Sequence, residues 1–462
     1  MSMFRVAWAA LAVTPLLASV PPADWVPARW NWTDPKTLDL ISGTPINCLL
    51  VKSADAAFAE KAAARGIVSL MIVTPGKDPA EAAREAMQAH FQGVVLEGDF
   101  PEGTAERIKE ILAALKGILI ELTARSRMKL GGSDPIIGTY QGVWPGVQVL
   151  ENGAHKAGPT GGAWIDTNTG FIRAVRGWGH AAIWLANLPP PNTAVTAERY
   201  LQAVCDAAMA GARWVLALDD EFAGRLKSSE VTAVRDWKRI AQHLAFYEKH
   251  SEWRSMRSYG KLAVVQHPAD GSLLSGGILD MIASRHTPVR AIPRQRLSPD
   301  ALKGATMAVD VDPQALTPEQ REILKQFTRA GGTLLSAPPG SKAPLDAKRI
   351  TFEEAELQRL SDIWHDVQSM IGRRNLGARL FNVSSMLSNL LTSDDSNEIV
   401  VHLVNYSNYP VESVTVHFLG QFRHARLLTP EGFERDLEVY KTEEGSGVDV
   451  DRIAVSATLR LN

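Results

Sequence analysis

Short apolar runs and amphipathic, helix-like segments alternate through the first half of the chain. The run at 46–51 is almost entirely apolar, as expected for a strand that is buried on both faces of a parallel sheet. An Ala-rich segment with helical spacing extends from Ser53 to Arg65, and Gly66 marks its end. The same order repeats until a long amphipathic helix at 230–249. The predicted strands are 46–51, 67–73, 93–96, 118–122, 136–141, 163–165, 181–186 and 214–218.

This alternation predicts a (β/α)8 TIM barrel, in which eight parallel strands are each followed by a helix. A doubly wound α/β sheet is the alternative, because the order of strands in a sheet cannot be read from the chain. No G-x-G-x-x-G pattern follows the first predicted strand, and no phosphate-binding loop occurs. We therefore prefer the barrel and expect no nucleotide or other cofactor.

Two smaller domains are predicted behind the barrel. A strand at 261–265 opens a second series of strands and helices, with helices at 277–284 and 318–330. Beyond residue 340 the pattern changes to alternating runs that are typical of antiparallel strands. The predicted organisation is a signal peptide at 1–23, a barrel at 24–258, a small α/β domain at 259–345 and a β-sandwich at 346–462.

The N-terminus has the features of an export signal. Arg5 precedes an apolar stretch at 6–20, and small or turn-forming residues follow it. The stretch is short for a membrane span and Pro15 interrupts it, although an uncleaved anchor is the alternative. We expect a secreted or periplasmic protein with no membrane span after cleavage of the signal.

Composition narrows the range of partners. The formal net charge is −2, so no electrostatic attraction to nucleic acid or anionic lipid is expected. Cys48 and Cys205 are the only cysteines, and neither stands in a zinc-ligand spacing. We predict two buried free thiols and no metal site of the histidine or cysteine kind.

The candidate catalytic and binding residues are those that follow the predicted strands, because barrel enzymes carry their active sites at the carboxyl ends of the strands. Carboxylates, amides and aromatic rings follow several of these strands, and paired carboxylates are what the hydrolysis of a glycosidic bond requires. We predict Glu121 and Asp166 as the catalytic acid pair. The predicted substrate-binding residues are Glu97, Asp99, Tyr140, Gln141, Trp144, Asn168, Asn187, Asp219 and Asp220.

Several of these acids have simpler explanations. Asp166 and either Asp219 or Asp220 stand where a helix N-cap is expected, and Glu221 suits a solvated loop. A weaker interpretation is a metal site, in which carboxylate oxygens bind Ca²⁺ or Mg²⁺. Its ligands would be Glu97, Asp99, Asp219 and Asp220.

Two local stretches carry a family resemblance. The segment 316–334, with its Leu-Thr-Pro-Glu-Gln start and Gly-Gly-Thr-Leu end, resembles the trimerisation domain of multidomain bacterial beta-galactosidases. That domain is similar to a class I glutamine amidotransferase that has lost its chemistry, and 261–340 contains no Cys. The stretches 402–406 and 425–428 are similar to the small β domain that closes those enzymes. The resemblance implies a carbohydrate substrate, hydrolysis of O-glycosyl bonds and a homo-oligomer.

The barrel departs from that family. The galactosidases carry an Asn-Glu acid/base after the fourth strand and a Glu nucleophile after the seventh. Here Glu121 follows Ile120, and the seventh predicted strand ends at Asn187 without any Glu. Glu121 and Asp166 would suit other barrel glycosidases, with acids on the fourth and sixth strands, by analogy only. A non-catalytic carbohydrate-binding or assembly protein on a decayed barrel is therefore the alternative.

Overall fold

A computed structural model describes residues 20–145, 147–149, 155–157, 168–179, 181–266, 286–310, 312–336, 354–383, 385–393 and 398–462. Most of the predicted signal peptide, the predicted strand at 163–165, the predicted helix at 277–284 and Asp166 lie outside these residues. In the part that is described, no helix is both long and apolar enough to cross a membrane.

The first half of the chain forms a TIM barrel, as predicted. Eight parallel strands pair in chain order, and the amide of Arg29 joins the last strand to the first by donating to Leu216 O at 2.7 Å. The barrel strands are β1 (Pro27–Trp30), β2 (Cys48–Val51), β3 (Val68–Val73), β4 (Gly93–Glu97), β5 (Ile118–Thr123), β6 (Ile136–Thr139), β9 (Ala182–Leu185) and β10 (Arg213–Trp214). A separate hairpin is formed by β7 (Val147–Val149) and β8 (His155–Ala157).

Helices surround the sheet and several begin at side-chain caps. Asp55 accepts from Phe58 N at 2.8 Å, and Asp78 accepts from Ala80 N at 2.8 Å, which satisfies amides that have no partner within the helix. The helices of this half are α1 (Ala56–Ala63), α2 (Pro79–Gln88), α3 (Thr104–Leu115), α4 (Thr169–Arg176), α5 (Ala197–Met209), α6 (Asp220–Lys227) and α7 (Val231–Lys249).

The strand numbering of the barrel differs from the sequence-based prediction. The run predicted as the first strand is β2, because β1 lies ahead of it and was not predicted. Strand β6 pairs directly with β9, with Ile136 opposite Ala182, so the sheet reaches eight strands without 163–165. Glu121 therefore lies on the fifth strand rather than the fourth, and the fourth strand ends at Glu97.

Alternation along each strand decides which side chains enter the barrel. The lumen is apolar and includes Leu50, Ile72, Val95, Ile120, Leu122 and Trp184. The intervening positions, such as Leu49, Val94 and Leu96, pack outward against the helices. Glu97 follows Val95 by two positions and faces the lumen, whereas Glu121 lies between two lumen residues and faces outward.

A small parallel sheet follows the barrel, as predicted. Its strand order is β13-β12-β14-β15, and Thr317 and Gln320 form a capping box at the start of α8. Helix α9 falls in the range predicted to be β-sandwich, yet Trp364, Val367 and Ile371 pack in one core with this sheet. The elements are β12 (Leu262–Gln266), β13 (Val289–Pro293), β14 (Met307–Asp310), α8 (Pro318–Arg329), β15 (Thr333–Ser336) and α9 (Glu354–Ile371).

The C-terminal part is β-rich and antiparallel, as predicted. A six-stranded sheet of order β11-β17-β18-β24-β20-β21 shares a core with a four-stranded sheet of order β16-β19-β23-β22. The strands are β11 (Arg257–Ser258), β16 (Ala378–Phe381), β17 (Met386–Thr392), β18 (Ile399–Asn405), β19 (Val411–Leu419), β20 (Ala425–Leu428), β21 (Glu434–Leu437), β22 (Tyr440–Lys441), β23 (Gly445–Ile453) and β24 (Ser456–Leu461). Leu387, Val400 and Tyr406 belong to the barrel-side core, so the larger sheet packs on the barrel.

Candidate active site

An ion pair between Arg29 and Glu97 lies at the C-terminal end of the barrel lumen. Arg29 Nη2 donates to Glu97 Oε1, and the two side chains are only 5% and 14% exposed. Among the described residues, neither Arg29 Nε nor Glu97 Oε2 has a hydrogen-bond partner. Because buried polar groups are nearly always hydrogen-bonded, the two unpaired atoms distinguish this ion pair from the satisfied polar groups around it.

Asp99 and Tyr140 lie at the same end of the barrel. Tyr140 OH donates to Asp99 Oδ2 at 3.1 Å, and Ala124 N donates to Asp99 Oδ1 at 3.2 Å. Burial, followed by the hydrogen bond to Asp99 and its negative charge, raises the pKa of Tyr140. The phenol therefore stays protonated and acts as a hydrogen-bond donor at neutral pH.

Gly98 allows the chain to turn between the two carboxylates. Its φ of +117° is a conformation that side chains rarely adopt, and a Cβ there would lie 2.8 Å from Pro75 Cδ. Any larger residue would be strained and would push on Pro75. The glycine thus lets Glu97 enter the lumen while Asp99 lies at the rim.

A cavity of about 540 Å³ adjoins Asp99 on the outer side of the barrel wall. Leu96 and Thr123, whose neighbours in the strands face the lumen, form part of its lining. Charged residues form much of the rest of the cavity lining, among them Glu121, Arg127 and Lys129. Asp99 is therefore shared between the lumen mouth and this outer cavity.

Glu121 belongs to the outer cavity and not to the lumen. Its Oε1 lies 3.7 Å from Lys109 Nζ and 3.9 Å from Lys129 Nζ, and the side chain is 21% exposed. The predicted pairing of Glu121 with Asp166 stays a prediction, since Asp166 lies outside the described residues.

Asn168 and Gln141, predicted to bind substrate, are held in a buried polar network. Asn168 Nδ2 donates to Asp206 Oδ2 at 2.7 Å, and Asn168 Oδ1 accepts from Val143 N at 2.7 Å. Gln141 Oε1 accepts from Arg125 N at 2.8 Å. Both side chains are buried and fix the loops that follow the barrel strands.

Trp144 and Asn187 also make structural contacts. Trp144 is 4% exposed, donates from Nε1 to Leu188 O at 2.9 Å and packs edge-on against Trp214. Asn187 Nδ2 donates to Gly142 O at 2.7 Å. The ring of Trp144 therefore belongs to the core between the barrel and its helices.

Asp219 is the N-cap of α6. Its Oδ1 accepts from Phe222 N at 2.9 Å, and its Oδ2 accepts from Tyr200 OH at 2.7 Å. Asp220, the first residue of the helix, is exposed. In the described ranges, no group of three His, Cys, Asp or Glu side chains is arranged to hold a metal ion.

Both cysteines are buried, and burial raises the pKa of the Cys48 and Cys205 thiols. Cys48 faces the lumen with the apolar residues of the barrel interior, whereas Cys205 lies on α5. Protonated, enclosed thiols of this kind are inert, so neither residue is a candidate nucleophile.

Arg29 is the site residue that the sequence analysis missed. It lies in a four-residue strand, Pro27–Trp30, which has no long apolar run. The local signal is Arg29 between the apolar Ala28 and Trp30, which fits an alternating strand with one charged position.

Comparison with known proteins supports the fold. No protein-family model matches the chain, and no curated protein matches it. The structure is similar to that of alpha-L-fucosidase isoenzyme 2 from Paenibacillus thiaminolyticus, with a TM-score of 0.57, 8% identity and coverage of 95% of this chain and 99% of that chain. It is also similar to a beta-galactosidase from a Rahnella species, with a TM-score of 0.53, 10% identity and coverage of 93% and 98%.

Proposed function

We propose that the protein is a glycoside hydrolase that binds its sugar at the barrel mouth, with Glu97 and Asp99 as the reacting carboxylates. The observation that carries this proposal is the lumen-facing carboxylate of Glu97 at the end of β4, which keeps one oxygen without a partner. The two structurally similar proteins are both glycosidases by name, which supports the same class of reaction here.

The corrected strand order strengthens the case for Glu97. In the galactosidases that the sequence resembles, a Glu follows the fourth barrel strand, and Glu97 now stands at that place. The residue before it is Leu96 and not Asn, and the seventh strand still ends without a Glu. The second carboxylate must therefore come from elsewhere, and Asp99 is the acid at the same mouth.

The contacts of the two acids suggest different roles. In its ion pair with Arg29, Glu97 is a carboxylate, which suits a nucleophile or a base that activates water. Asp99 is exposed at the mouth, where a leaving group would lie next to it, which suits the group that protonates the leaving oxygen. Tyr140 donates to Asp99 and thereby orients it.

Leaving-group dependence tests these roles. We would measure kcat/KM for wild type, Glu97→Gln and Asp99→Asn on a panel of 4-nitrophenyl and 2,4-dinitrophenyl glycosides. Glu97→Gln should lose roughly 10³-fold on both kinds of substrate. Asp99→Asn should lose about 10²-fold on 4-nitrophenyl glycosides and much less on dinitrophenyl ones, whose leaving group needs no proton.

Glu121→Gln is the matched control, because it makes the same chemical change one strand away on the outer side of the wall. Its kcat/KM should stay within a few-fold of wild type. Full activity in Glu97→Gln would overturn the assignment, and loss in Glu121→Gln or Asp166→Asn would return it to the pair predicted from sequence.

Glycan binding without hydrolysis would support the non-catalytic alternative. The observation that favours it is the absence of a Glu after the seventh strand. Retention of the full chain on immobilised polysaccharide, with no release of reducing sugar, is the outcome that would establish it.

Export and self-association belong to the same proposal. The basic and apolar start of the chain supports export, which N-terminal sequencing of the mature protein would test. The resemblance of 316–334 to a trimerisation domain supports a homo-oligomer, and light scattering of the purified chain would reveal a monomer instead.

A further inference from the structure

Three arginines meet at the N-terminal end of the barrel, opposite the proposed active site. Arg176 is the last residue of α4, Arg213 is the first residue of β10, and Arg254 follows α7. Gly211 lets the Arg176 side chain approach the backbone of Arg254, since a Cβ there would lie 2.9 Å from Arg176 Nε and 3.2 Å from the carbonyl oxygen of Arg254.

Two of the arginines share one carboxylate. Arg213 Nε and Nη2 donate to the two oxygens of Glu248, each at 3.0 Å, and Arg254 Nη2 donates to Glu248 Oε1. Arg213 Nη1 also donates to Ala23 O at 2.6 Å. Glu248 therefore accepts from two of the three guanidinium groups.

Arg176 has no acidic partner among the residues that the structure describes. Its Nη2 donates to Gly211 O, and no carboxylate of the described residues lies within ion-pair distance of it. Burial, and then the positive charges of Arg254 and Arg213, lower the pKa of Arg176 to about 10. Within the described part of the chain, the Nε atoms of Arg176 and Arg254 are both buried without a hydrogen-bond partner.

The cluster therefore carries excess positive charge. Asp24 is exposed and acts on Arg254, so three guanidinium groups face two carboxylates. An uncompensated guanidinium that is largely withdrawn from water is costly unless a counter-charge reaches it. Arg176 is partly exposed and the side chain of Arg254 is 14% exposed, so an ion from solvent can approach both.

We propose that Arg176 and Arg254 form a binding site for a tetrahedral oxyanion, of the phosphate or sulfate type. Guanidinium groups donate parallel hydrogen bonds that match the oxygens of such an anion. The anion would neutralise the excess charge and join α4 to the segment after α7. The site lies at the opposite end of the strands from Glu97, so it does not depend on the proposed hydrolase activity.

Phosphate binding to the full chain tests the proposal directly. Equilibrium dialysis of wild type against radiolabelled inorganic phosphate at millimolar concentration should show one bound ion per chain. Thermal unfolding in phosphate or sulfate, against chloride and acetate at equal ionic strength, should show a Tm rise of about 1–2 °C for a tenfold excess over the Kd. Arg176→Met should weaken phosphate binding by at least about tenfold.

Arg329→Met is the matched control, because Arg329 is exposed on α8 and pairs with Glu322. It should bind phosphate as wild type does. Arg176→Lys keeps the charge and should retain part of the binding, which covers the case in which Arg176→Met does not fold. Absence of bound phosphate in wild type, or equal binding by wild type and a folded Arg176→Met, would overturn the site.

Discussion

Two groups of polar side chains lie near the C-terminal end of the barrel strands, and they differ in how completely they are hydrogen-bonded. At the mouth, the pair of Arg29 and Glu97 leaves one nitrogen and one oxygen without a partner among the described residues. Behind the rim, Asp206 on α5 accepts from Asn168 N at 3.0 Å, from Asn168 Nδ2 at 2.7 Å and from Tyr406 OH at 2.8 Å.

The second group joins the barrel to the C-terminal sheet. Arg199 Nη1 donates to Tyr406 O at 3.0 Å, and Gln202 Nε2 donates to Asn405 O at 3.0 Å. All of these side chains are buried, and their hydrogen bonds are made within the protein. A network that satisfies its own members stabilises the packing of two domains and offers little to a ligand.

The difference separates polar atoms that lack a partner from polar atoms whose hydrogen bonds are made within the protein. Most of the residues that the sequence analysis assigned to substrate are polar and follow barrel strands. The side chains of Asn168 and Asp219, however, form hydrogen bonds with other groups of the protein. Glu97 and Asp99 both lie at the mouth. Of these two, Glu97 has a buried carboxylate oxygen with no hydrogen-bond partner among the described residues. An unpaired polar atom at a strand end is therefore the feature on which the proposed site rests.

The largest expected effect on stability comes from Asp206→Ala. The substitution leaves the Asn168 amides and the Tyr406 hydroxyl without an acceptor, and each buried donor costs about 1–3 kcal/mol. Urea denaturation should show a loss of roughly 3–5 kcal/mol in the free energy of unfolding. Asp220→Ala is the control, with an expected loss below about 1 kcal/mol because Asp220 is an exposed first-turn residue. An equally small loss in both variants would remove the distinction between the two groups.

A smaller net effect is expected at the mouth when both charges are removed together. Glu97→Leu alone leaves Arg29 buried and unpaired, with an expected loss of about 2–3 kcal/mol. The double variant Arg29→Met, Glu97→Leu should lie within about 1 kcal/mol of wild type, because apolar side chains fit the apolar lumen. Urea denaturation of the two single variants and the double variant gives the coupling energy. Additive losses would mean that the pair is as structural as the Asp206 network.

Much of the architecture could be predicted from sequence because it depends on local pattern. The long apolar runs of β3 and β5, and the alternating runs of the C-terminal domain, reveal their elements without tertiary information. Strand β1 could not be predicted in the same way. It is four residues long and contains Arg29, which is acceptable there only because Glu97, 68 positions away in the chain, pairs with it.

The site was harder to predict because it depends on direction and on distant partners. Strands buried on both faces read as continuous apolar runs, so the sequence does not show that Glu97 faces the lumen and Glu121 faces outward. The role of Asn168 depends on Asp206, whose own partner Tyr406 lies 200 positions further along the chain. Residue type and position after a strand were available from sequence, but the partner that occupies each polar atom was not.

The smallest expected effect concerns the pH dependence of the buried network. Burial raises the pKa of Asp206, although hydrogen bonds from Asn168, Tyr406 and Thr169 oppose the shift. The folded protein therefore holds a proton on this group at a higher pH than the unfolded chain does. The associated stabilisation is fully present below the unfolded pKa and is lost as the pH rises through the folded pKa.

Asp206→Asn has no such titration, so its stability relative to wild type should improve as the pH rises from about 4 to 8. Urea denaturation of both proteins at several pH values measures the difference. A difference between Asp206→Asn and wild type that stays constant with pH would mean that Asp206 titrates alike in the folded and unfolded chains. The network would then accommodate the charge of Asp206 as well as water does, and the contrast with the mouth would rest on geometry alone.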